Sequence, residues 1–412
     1  MIRVEKFIPG GQALGTDENG KKIFFWNVLP GEVVADFKIT KNKSSYAEAI
    51  ATKIKNLSSH RTEPKDECFL STSPWQILDY NYELKQKPLL VQEIFREHGV
   101  YIEIPEIITD DKDYFYRNKM EYALYYDKEK QRIFPAFHAR GSHSKIPIKS
   151  SSLERPEIFK KACEIIDDLN ARGEEARKYQ SLLLRCDQNG KVSGGLYENH
   201  QPHPIFPQLT DKILGQEYSY SPNSFFQINL PVYEIALQEI KKFITTDVIL
   251  DLYAGVGTIG LSVAIDKNLT LVEINESAFS ELCKNITIED STERGRASIS
   301  AGRPWRRAGR TRVRNGNILI ELAKSEDILD HIRNNQTVIV DPPRAGCDRK
   351  LIDLLLEVTP VKIIYLSCNP ATQARDVKLL LEKYQIEKVK TFNFFPHTPH
   401  IENLVILERK NG

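Results

Sequence analysis

Short runs in which apolar and polar residues alternate fill the first sixty positions of the chain. Alternation with a period of two predicts β-strands. The predicted strands cover residues 1–8, 21–26, 33–40 and 46–54. Pro9-Gly10-Gly11, Asn19-Gly20 and Leu29-Pro30-Gly31 separate them as turn signals. The pattern therefore predicts a small OB-like β-barrel over residues 1–60.

The next stretch, residues 61–220, mixes the two periodicities. Helical spacing of apolar residues predicts helices at 82–97 and 152–170. Strand-like runs are found at residues 114–126, 133–140 and 182–196, the last around Asn189-Gly190. We therefore predict an α+β central domain over these residues.

From residue 221 onward, apolar strands alternate with helical segments. Such alternation predicts an α/β domain with a doubly wound, largely parallel sheet over residues 221–412. Predicted strands cover residues 248–252, 269–274, 337–341, 362–368, 388–394 and 403–408. Sheets of this kind bind ligands at the carboxyl ends of their strands, where Gly255, Glu273, Asp341 and Cys368 are expected.

One segment interrupts the alternation, because residues 292–314 are rich in Arg, Gly and Ala and have little apolar periodicity. We interpret it as a disordered basic insertion, and a tolerated surface loop is favoured over a phosphate-binding role.

Composition narrows the class of protein further. The chain has 412 residues, enough for two or three domains, and a formal net charge of +1, so any binding of polyanions must depend on local basic patches. Its six cysteines form no C-x-x-C pair, which disfavours a zinc or redox motif.

No apolar run of about 18 residues and no signal-peptide pattern is present, which predicts a cytoplasmic protein without membrane spans. A monomer is expected.

The Gly-rich turn Asp251-Leu-Tyr253-Ala-Gly255-Val-Gly257-Thr258 lies between a predicted strand and a predicted helix. Glycines there let a ligand approach the backbone closely. Glu273, at the end of the second strand, can accept hydrogen bonds from both ribose hydroxyls of an adenosine. The Gly-rich turn and Glu273 together indicate a binding site for S-adenosylmethionine. The alternative is that the chain is an α/β protein that binds another nucleotide.

Two later motifs indicate the reaction. Asp341-Pro-Pro-Arg344 holds a carboxylate rigidly at a strand end, and Arg344 stands where amino-methylating enzymes usually carry an aromatic residue. Cys368, in Ser-Cys-Asn-Pro, precedes a predicted helix whose dipole is expected to lower the thiol pKa. A thiolate adding to carbon 6 of uracil makes carbon 5 nucleophilic enough to accept a methyl group.

Completing such a reaction requires removal of the proton from carbon 5, and Glu402 is the candidate base. Taken alone, Cys368 could be a buried structural thiol and Glu402 a charge at a strand edge. A metal site at His397, His400 and Glu402 is disfavoured, and no metal is predicted.

Together these motifs resemble the RNA 5-methyluridine methyltransferase family, as do residues 116–121, 137–141 and 224–229. Residues 1–60 resemble the RNA-binding TRAM domain, and the resemblance covers nearly the whole chain. It implies a C-terminal Rossmann-like methyltransferase domain, with Cys368 as nucleophile and Glu402 as base. The cofactor-binding residues that it implies, together with the Gly-rich turn, are Gln227, Tyr253, Gly255, Thr258, Glu273, Asn317 and Asp341.

The chain departs from many members of that family in one respect. They bind an iron–sulfur cluster through four cysteines, and here the corresponding stretch keeps Cys68 alone. A single thiolate cannot hold a cluster, so none is predicted.

The expected partner is RNA, either ribosomal or transfer RNA, with a slight preference for ribosomal RNA from the TRAM resemblance. The target base must be unpaired or flipped out to reach Cys368. Candidate RNA-binding residues are Lys41, Lys43, Arg117, Lys119 and Arg140, each of which could instead be a plain surface charge. The alternatives are an RNA cytosine-C5 methyltransferase, or a non-catalytic RNA-binding protein with a vestigial cofactor fold.

Overall fold

The computed structural model describes residues 1–199, 201–203, 206–287, 311–328 and 331–410. Its chain divides into two compact units. The first contains Met1–Glu93, Asp111–Pro207 and Phe395–His400; the second contains Ile94–Asp110, Gln208–Phe394 and Ile401–Gly412.

A closed barrel of five strands forms the start of the first unit. Its strands are β1 (Ile2–Phe7), β2 (Ala13–Thr16), β3 (Lys22–Trp26), β4 (Val33–Asn42) and β5 (Tyr46–Lys55). Alternate residues such as Val4, Phe25 and Ala49 are buried, as the period of two predicts. The predicted N-terminal barrel is confirmed.

Six strands make the central sheet of the same unit, in the order β11-β10-β9-β6-β7-β8. They are β6 (Lys119–Asp127), β7 (Arg132–His138), β8 (Lys145–Pro147), β9 (Ser181–Cys186), β10 (Val192–Glu198) and β11 (Gln201–His203). Helices α1 (Phe69–Thr72) and α2 (Tyr80–Glu97) precede the sheet, and α3 (Pro156–Ala171) packs on it through Ile158, Ala162 and Ile166. The predicted helix at 152–170 begins at Pro156, because proline suits the first helical turn.

The second unit is built on an eight-stranded sheet, in the order β16-β17-β15-β14-β18-β19-β21-β20. Its strands are β14 (Val248–Leu252), β15 (Asn268–Glu273), β16 (Thr311–Asn315), β17 (Ile318–Leu322), β18 (Thr337–Val340), β19 (Lys362–Ser367), β20 (Tyr384–Phe392) and β21 (Glu402–Arg409). Strands β17, β15, β14, β18 and β19 are parallel, whereas β16, β21 and β20 are antiparallel to their neighbours. The predicted α/β fold class is therefore confirmed.

A hairpin and five helices complete this unit within the described residues. The hairpin is β12 (Leu209–Ile213) with β13 (Gln216–Tyr220), and the helices are α4 (Leu230–Lys241), α5 (Thr258–Ala264), α6 (Glu276–Thr287), α7 (Arg349–Val358) and α8 (Pro370–Leu380). Side-chain caps fix where the last two helices begin: Asp348 accepts from the Lys350 N–H, and Asn369 from the Ala371 N–H. The helices in the described ranges include none that is both long and apolar enough to span a membrane.

The prediction of a disordered basic insertion at residues 292–314 is wrong for its last four residues. Residues 292–310 lie outside the described residues. The last four positions belong to β16, which pairs with β17 so that Val313 is opposite Ile320. Arg312 makes an ion pair with the buried Glu321, with Nε and Oε2 2.9 Å apart. Apolar pairing and this ion pair stabilise strand structure in a run whose composition indicated disorder.

Candidate active site

The candidate active site lies at one edge of the eight-stranded sheet. Tyr253 directly follows β14, Glu273 ends β15, Asp341 follows β18 and Cys368 follows β19. These four strands are parallel, so their carboxyl ends meet at the same edge. The structure therefore has the predicted arrangement, in which candidate site residues lie together at the carboxyl ends of the parallel strands.

The turn after β14 has the backbone conformation that its glycines permit. Gly255 has φ +58° and Gly257 has φ +91°, and Tyr253 also has a positive φ of 62°. A Cβ at Gly255 would meet nothing within 4 Å, whereas a Cβ at Gly257 would lie 2.4 Å from Leu282 Cδ1. Gly255 therefore leaves open space beside the turn, where it lines a cavity, and Gly257 allows α5 to start close to α6.

Glu273 holds this turn through the backbone. Its Oε2 accepts a hydrogen bond from the Gly255 N–H at 2.8 Å, and its Oε1 accepts one from the Asn275 N–H at 2.6 Å. Each carboxylate oxygen retains further acceptor capacity for a ligand hydroxyl. The acidic residue predicted to bind ribose is thus fixed against the Gly-rich turn.

A narrow cavity next to the turn brings several predicted cofactor residues together. Gln227, Tyr253, Gly255, Thr258 and Asp341 all line it. Tyr253 also lines a larger cavity of about 750 Å³, whose wall is the loop after Asp341 together with α7 and α8. The two cavities therefore meet at Tyr253.

Asn317 is the predicted cofactor residue that the structure does not bring to this edge. It directly precedes β17, and its Nδ2 donates to the Ile265 carbonyl at 3.1 Å and to the Lys267 carbonyl. Because Ile318 is paired with Leu269, near the start of β15, Asn317 lies at the amino edge of the parallel strands. The expectation that Asn317 contacts the cofactor is wrong for this geometric reason.

The register of β19 and β21 explains how Cys368 and Glu402 meet. The last pair of this antiparallel ladder is Ser367 with Asn403. Cys368 directly follows Ser367, and Glu402 directly precedes Asn403. The nucleophile and the base predicted from separate motifs therefore both lie next to the last pair of the ladder.

Electrostatics at this point differ from the sequence prediction. Burial, with the charges of Glu402 and Asp341, raises the pKa of the Cys368 thiol to about 11. The expected lowering by the helix dipole of α8 is therefore wrong: desolvation and two nearby carboxylates outweigh it. Arg344 opposes them, by its charge and by a hydrogen bond to the thiol.

Arg344 itself is held by the start of α8. Its carbonyl accepts hydrogen bonds from Asn369 Nδ2 at 2.7 Å and from Thr372 Oγ1 at 3.2 Å. The sequence analysis used Arg344 only to argue against amine methylation and missed its contact with Cys368. Its position directly after Asp-Pro-Pro, at the strand end, was the available signal.

Several buried carboxyl groups lie near this edge, and burial raises the pKa of each. Burial raises the pKa of Asp341 to about 7. Burial, with the charges of Asp341 and Glu273, raises the pKa of Asp251 to about 8. The pKa of Glu402 is raised well above its ordinary value by burial and by Asp341, against the effect of Arg344. A cationic ligand such as a sulfonium would stabilise the charged forms of these carboxyl groups, so the residues present fit S-adenosylmethionine.

Comparison with known proteins agrees with this geometry. The sequence model of the family described as tRNA (uracil-5-)-methyltransferase matches residues 208–410. Those residues of the chain belong to the tRNA (uracil-5-)-methyltransferase family. The predicted family is confirmed, and the chain is an RNA methyltransferase.

Relatives extend the similarity over the whole chain. An uncharacterized RNA methyltransferase of Bacillus cereus is 27% identical over 99% of this chain and 96% of its own. One of Fusobacterium nucleatum is 28% identical over 100% of this chain and 96% of its own.

Among solved structures, a Pyrococcus abyssi tRNA (uracil-54, C5)-methyltransferase in complex with S-adenosyl-L-homocysteine has the same fold. It has a TM-score of 0.72 and 22% identity, and the match covers 99% of this chain and 100% of that chain.

The predicted RNA-binding residues of this methyltransferase lie in the first unit. Lys41 and Lys43 are exposed at the end of β4 and just after it. The Lys41 ammonium lies 2.8 Å from the Glu48 carboxylate. Arg140 instead places its guanidinium over the Trp26 ring, 4.0 Å from the centroid, and donates to the Leu70 carbonyl. Those contacts give Arg140 a packing role.

Arg117 and Lys119 form part of a basic cluster with a residue that the sequence analysis missed, Arg185. Lys119 is the cross-strand partner of Arg185, which is buried. Arg117 Nε donates to the Lys119 carbonyl at 2.9 Å. Burial, with the charges of Arg185 and Arg117, lowers the pKa of Lys119 to about 8. Like charges placed side by side favour a nearby anion.

The segment around Cys68 is held together by hydrogen bonds. Asp66 accepts from Gln76 Nε2 and from Ser152 Oγ, both at 2.7 Å, and Gln76 Nε2 also donates to Ser73 Oγ at 2.7 Å. Burial, with the charge of Asp66, raises the pKa of Cys68 to about 11. One protonated thiol beside neutral donors does not fit a group that needs four ligands. The absence of an iron–sulfur cluster stays a prediction.

Of the three residues considered as a metal site, His397 makes hydrogen bonds to other carboxylates. The His397 N–H donates to both carboxylate oxygens of Glu83, at 3.1 and 3.0 Å, and its Nε2 lies 3.2 Å from Asp113 Oδ2. In the described part of the chain, no three His, Cys, Asp or Glu side chains are grouped so that they could hold a metal ion.

Proposed function

We propose that this methyltransferase transfers a methyl group from S-adenosyl-L-methionine to carbon 5 of a uridine in RNA. The observation that carries the proposal is the position of Cys368 and Glu402 at the end of the β19–β21 ladder, beside Asp341. A thiol and a carboxylate that lie close enough to interact electrostatically match a reaction that needs one nucleophile and one base.

The thiolate of Cys368 adds to carbon 6 of uracil and makes an enolate with carbanion character at carbon 5. When bound, S-adenosylmethionine supplies the electrophilic methyl group. Glu402 then takes the proton from carbon 5, the electron pair restores the 5,6 double bond, and the bond from Sγ to carbon 6 breaks. Its raised pKa makes the Glu402 carboxylate a stronger base than an ordinary glutamate.

Arg344 favours the thiolate form of Cys368. Its guanidinium lowers the pKa of Cys368 against the effect of burial. The same guanidinium can also stabilise the negative charge that develops on the uracil ring as the thiolate adds.

The cofactor is assigned to the residues that line the narrow cavity and to Glu273. These are Gln227, Tyr253, Gly255, Thr258, Glu273 and Asp341. The Thr258 hydroxyl lies 2.8 Å from the Tyr233 hydroxyl, which fixes its orientation at the start of α5.

RNA contacts are assigned to Lys41, Lys43, Arg117 and Lys119. The corresponding domains are an RNA-binding barrel at 1–60, a central RNA-binding domain at 61–220 and the methyltransferase domain at 221–412. The substrate is a uridine in transfer or ribosomal RNA.

The test of this function is methyl-labelled S-adenosylmethionine incubated with unmodified transfer and ribosomal RNA transcripts, followed by digestion and mass spectrometry of the nucleosides. We expect labelled 5-methyluridine from one transcript, which also identifies the RNA class. Labelled 5-methylcytidine would assign the enzyme to the cytosine class instead. Cofactor binding without any labelled nucleoside from either transcript would contradict the proposal and favour a binding protein.

Two substitutions test the roles of the residues. We expect Cys368→Ala to abolish methylation, while cofactor affinity in calorimetry stays within about threefold because the thiol is outside the cofactor cavity. Glu402→Gln is expected to accumulate a covalent protein–RNA adduct, visible on a denaturing gel. Cys163→Ala and Glu408→Gln, on α3 and at the far end of β21, are the matched controls and should keep full activity. Normal turnover by either site variant would contradict the assigned role.

A further inference from the structure

Gln373 joins the two strands that carry the proposed nucleophile and base. It lies in the first turns of α8 and is fully buried. Its Nε2 donates to the Tyr365 carbonyl of β19 at 2.9 Å and to the Asn403 carbonyl of β21 at 3.1 Å. One amide group therefore bridges the backbones of both strands at the end of the ladder.

Asn403 fixes the orientation of that amide. Its Nδ2 donates to Gln373 Oε1 at 2.6 Å, so the Gln373 amide cannot rotate without breaking three hydrogen bonds. Asn403 directly follows Glu402 and is itself fully buried. Both polar side chains lie in the interior, where an amide that loses its hydrogen-bond partners destabilises the fold.

The bridge attaches at unequal distances from the two reacting residues. On β19 it makes one hydrogen bond, to Tyr365, three residues before Cys368. On β21 it makes two hydrogen bonds, both to Asn403, which directly follows Glu402. Loosening the Gln373 bridge would therefore displace Glu402 more than Cys368.

We propose that Gln373 is a positioning residue that sets the separation between Cys368 and Glu402. It does not touch the substrate; it acts on the reaction through the backbone of β21. This inference depends on the proposed function, and it identifies which step Gln373 controls: removal of the proton from carbon 5 and release of Cys368.

The test separates formation of the adduct from its breakdown. Gln373→Met keeps the length and volume of the side chain but removes all three hydrogen bonds. RNA containing 5-fluorouridine measures adduct formation, because fluorine cannot leave as a proton does and the enzyme stays bound. Ordinary RNA measures complete turnover and any adduct that accumulates during it.

We expect Gln373→Met to form the fluorouridine adduct within about threefold of the wild-type rate, while turnover on ordinary RNA falls about tenfold or more. Adduct should accumulate with ordinary RNA. Asn403→Ala, which removes the donor that orients Gln373, should show the same pattern more weakly and serves if the first variant does not fold. Gln385→Leu, an exposed glutamine on β20, is the control and should behave like wild type.

Three outcomes are distinguishable. Equal losses in adduct formation and turnover, with a lowered melting temperature, would mean that Gln373 only stabilises the fold and would overturn the inference. Wild-type behaviour of both variants would also overturn it. Failure of the wild-type enzyme to form any fluorouridine adduct would instead contradict the proposed function.

Discussion

Cys368 lies where opposing electrostatic influences meet. Burial and the two carboxylates of Glu402 and Asp341 favour the neutral thiol, whereas Arg344 favours the thiolate. With a thiol pKa of about 11, only a small fraction of the enzyme carries a thiolate at neutral pH. The rate of adduct formation should therefore rise with pH over the neutral and alkaline range.

Replacing Arg344 should shift that dependence. Arg344→Gln removes the cation that lowers the Cys368 pKa, so the pKa rises further and less thiolate is present at any given pH. We expect the rising part of the pH profile to move upward by about one unit. Single-turnover rates of adduct formation with 5-fluorouridine RNA between pH 6 and pH 10 measure this shift.

Arg349→Gln is the matched control for this prediction. Arg349 is an exposed arginine at the start of α7 whose Nε lies 2.8 Å from Asp353 Oδ1. We expect its pH profile to overlay that of the wild type. An unshifted profile for Arg344→Gln would show that Arg344 does not control the thiol.

At the scale of elements, the Gly-rich turn after β14 is tightly packed on one side. A Cβ on Gly257 would lie 2.4 Å from Leu282 Cδ1 and 2.8 Å from Leu261 Cδ1, and the backbone there has φ +91°. Both the contact and the backbone conformation exclude a side chain. The turn and the beginning of α5 therefore depend on this glycine.

We expect Gly257→Ala to lower the free energy of unfolding by about 2–4 kcal/mol and to weaken cofactor binding, because the clash adds to the backbone strain. Gly215→Ala separates these two causes: Gly215 has φ +90°, but a Cβ there would meet nothing within 4 Å. That control should cost about 1 kcal/mol and leave cofactor binding unchanged. Denaturant unfolding and calorimetry measure both quantities, and equal losses in the two variants would exclude the packing explanation.

Strand order made part of the site predictable from the sequence. Gly255, Glu273, Asp341 and Cys368 each follow or end an apolar run, and parallel strands bring such positions to one edge. Asn317 was misassigned because it precedes its strand, and β16 falls in a run whose composition indicated disorder.

The register of β19 with β21 could not be predicted, because β20 lies between them in the sequence but outside them in the sheet. The bridge made by Gln373 depends on that register and on the side-chain packing of α8. A glutamine in an amphipathic helix carries no sequence signal for such a contact.

Over the whole molecule, opposite charges nearly balance, with a formal net charge of +1. Affinity for RNA must therefore come from local basic regions rather than from the overall field. The barrel offers Lys41 and Lys43 on an exposed part of the chain, although Glu48 neutralises part of the charge of Lys41. Whether these lysines contact phosphates is testable because such contacts respond to salt.

We expect the double substitution Lys41→Gln and Lys43→Gln to weaken RNA binding by about tenfold at low salt, because two phosphate contacts and their released counterions are lost. The slope of log affinity against log salt should decrease in magnitude by about 1.4 on single-stranded RNA and by about 1.8 on a duplex, for the same reason. Lys160→Gln with Lys161→Gln on α3 is the matched pair, since Lys161 also has a glutamate partner, Glu164. Filter binding between 50 and 300 mM salt compares the variants, and identical slopes for both pairs would mean that the barrel lysines do not contact RNA phosphates.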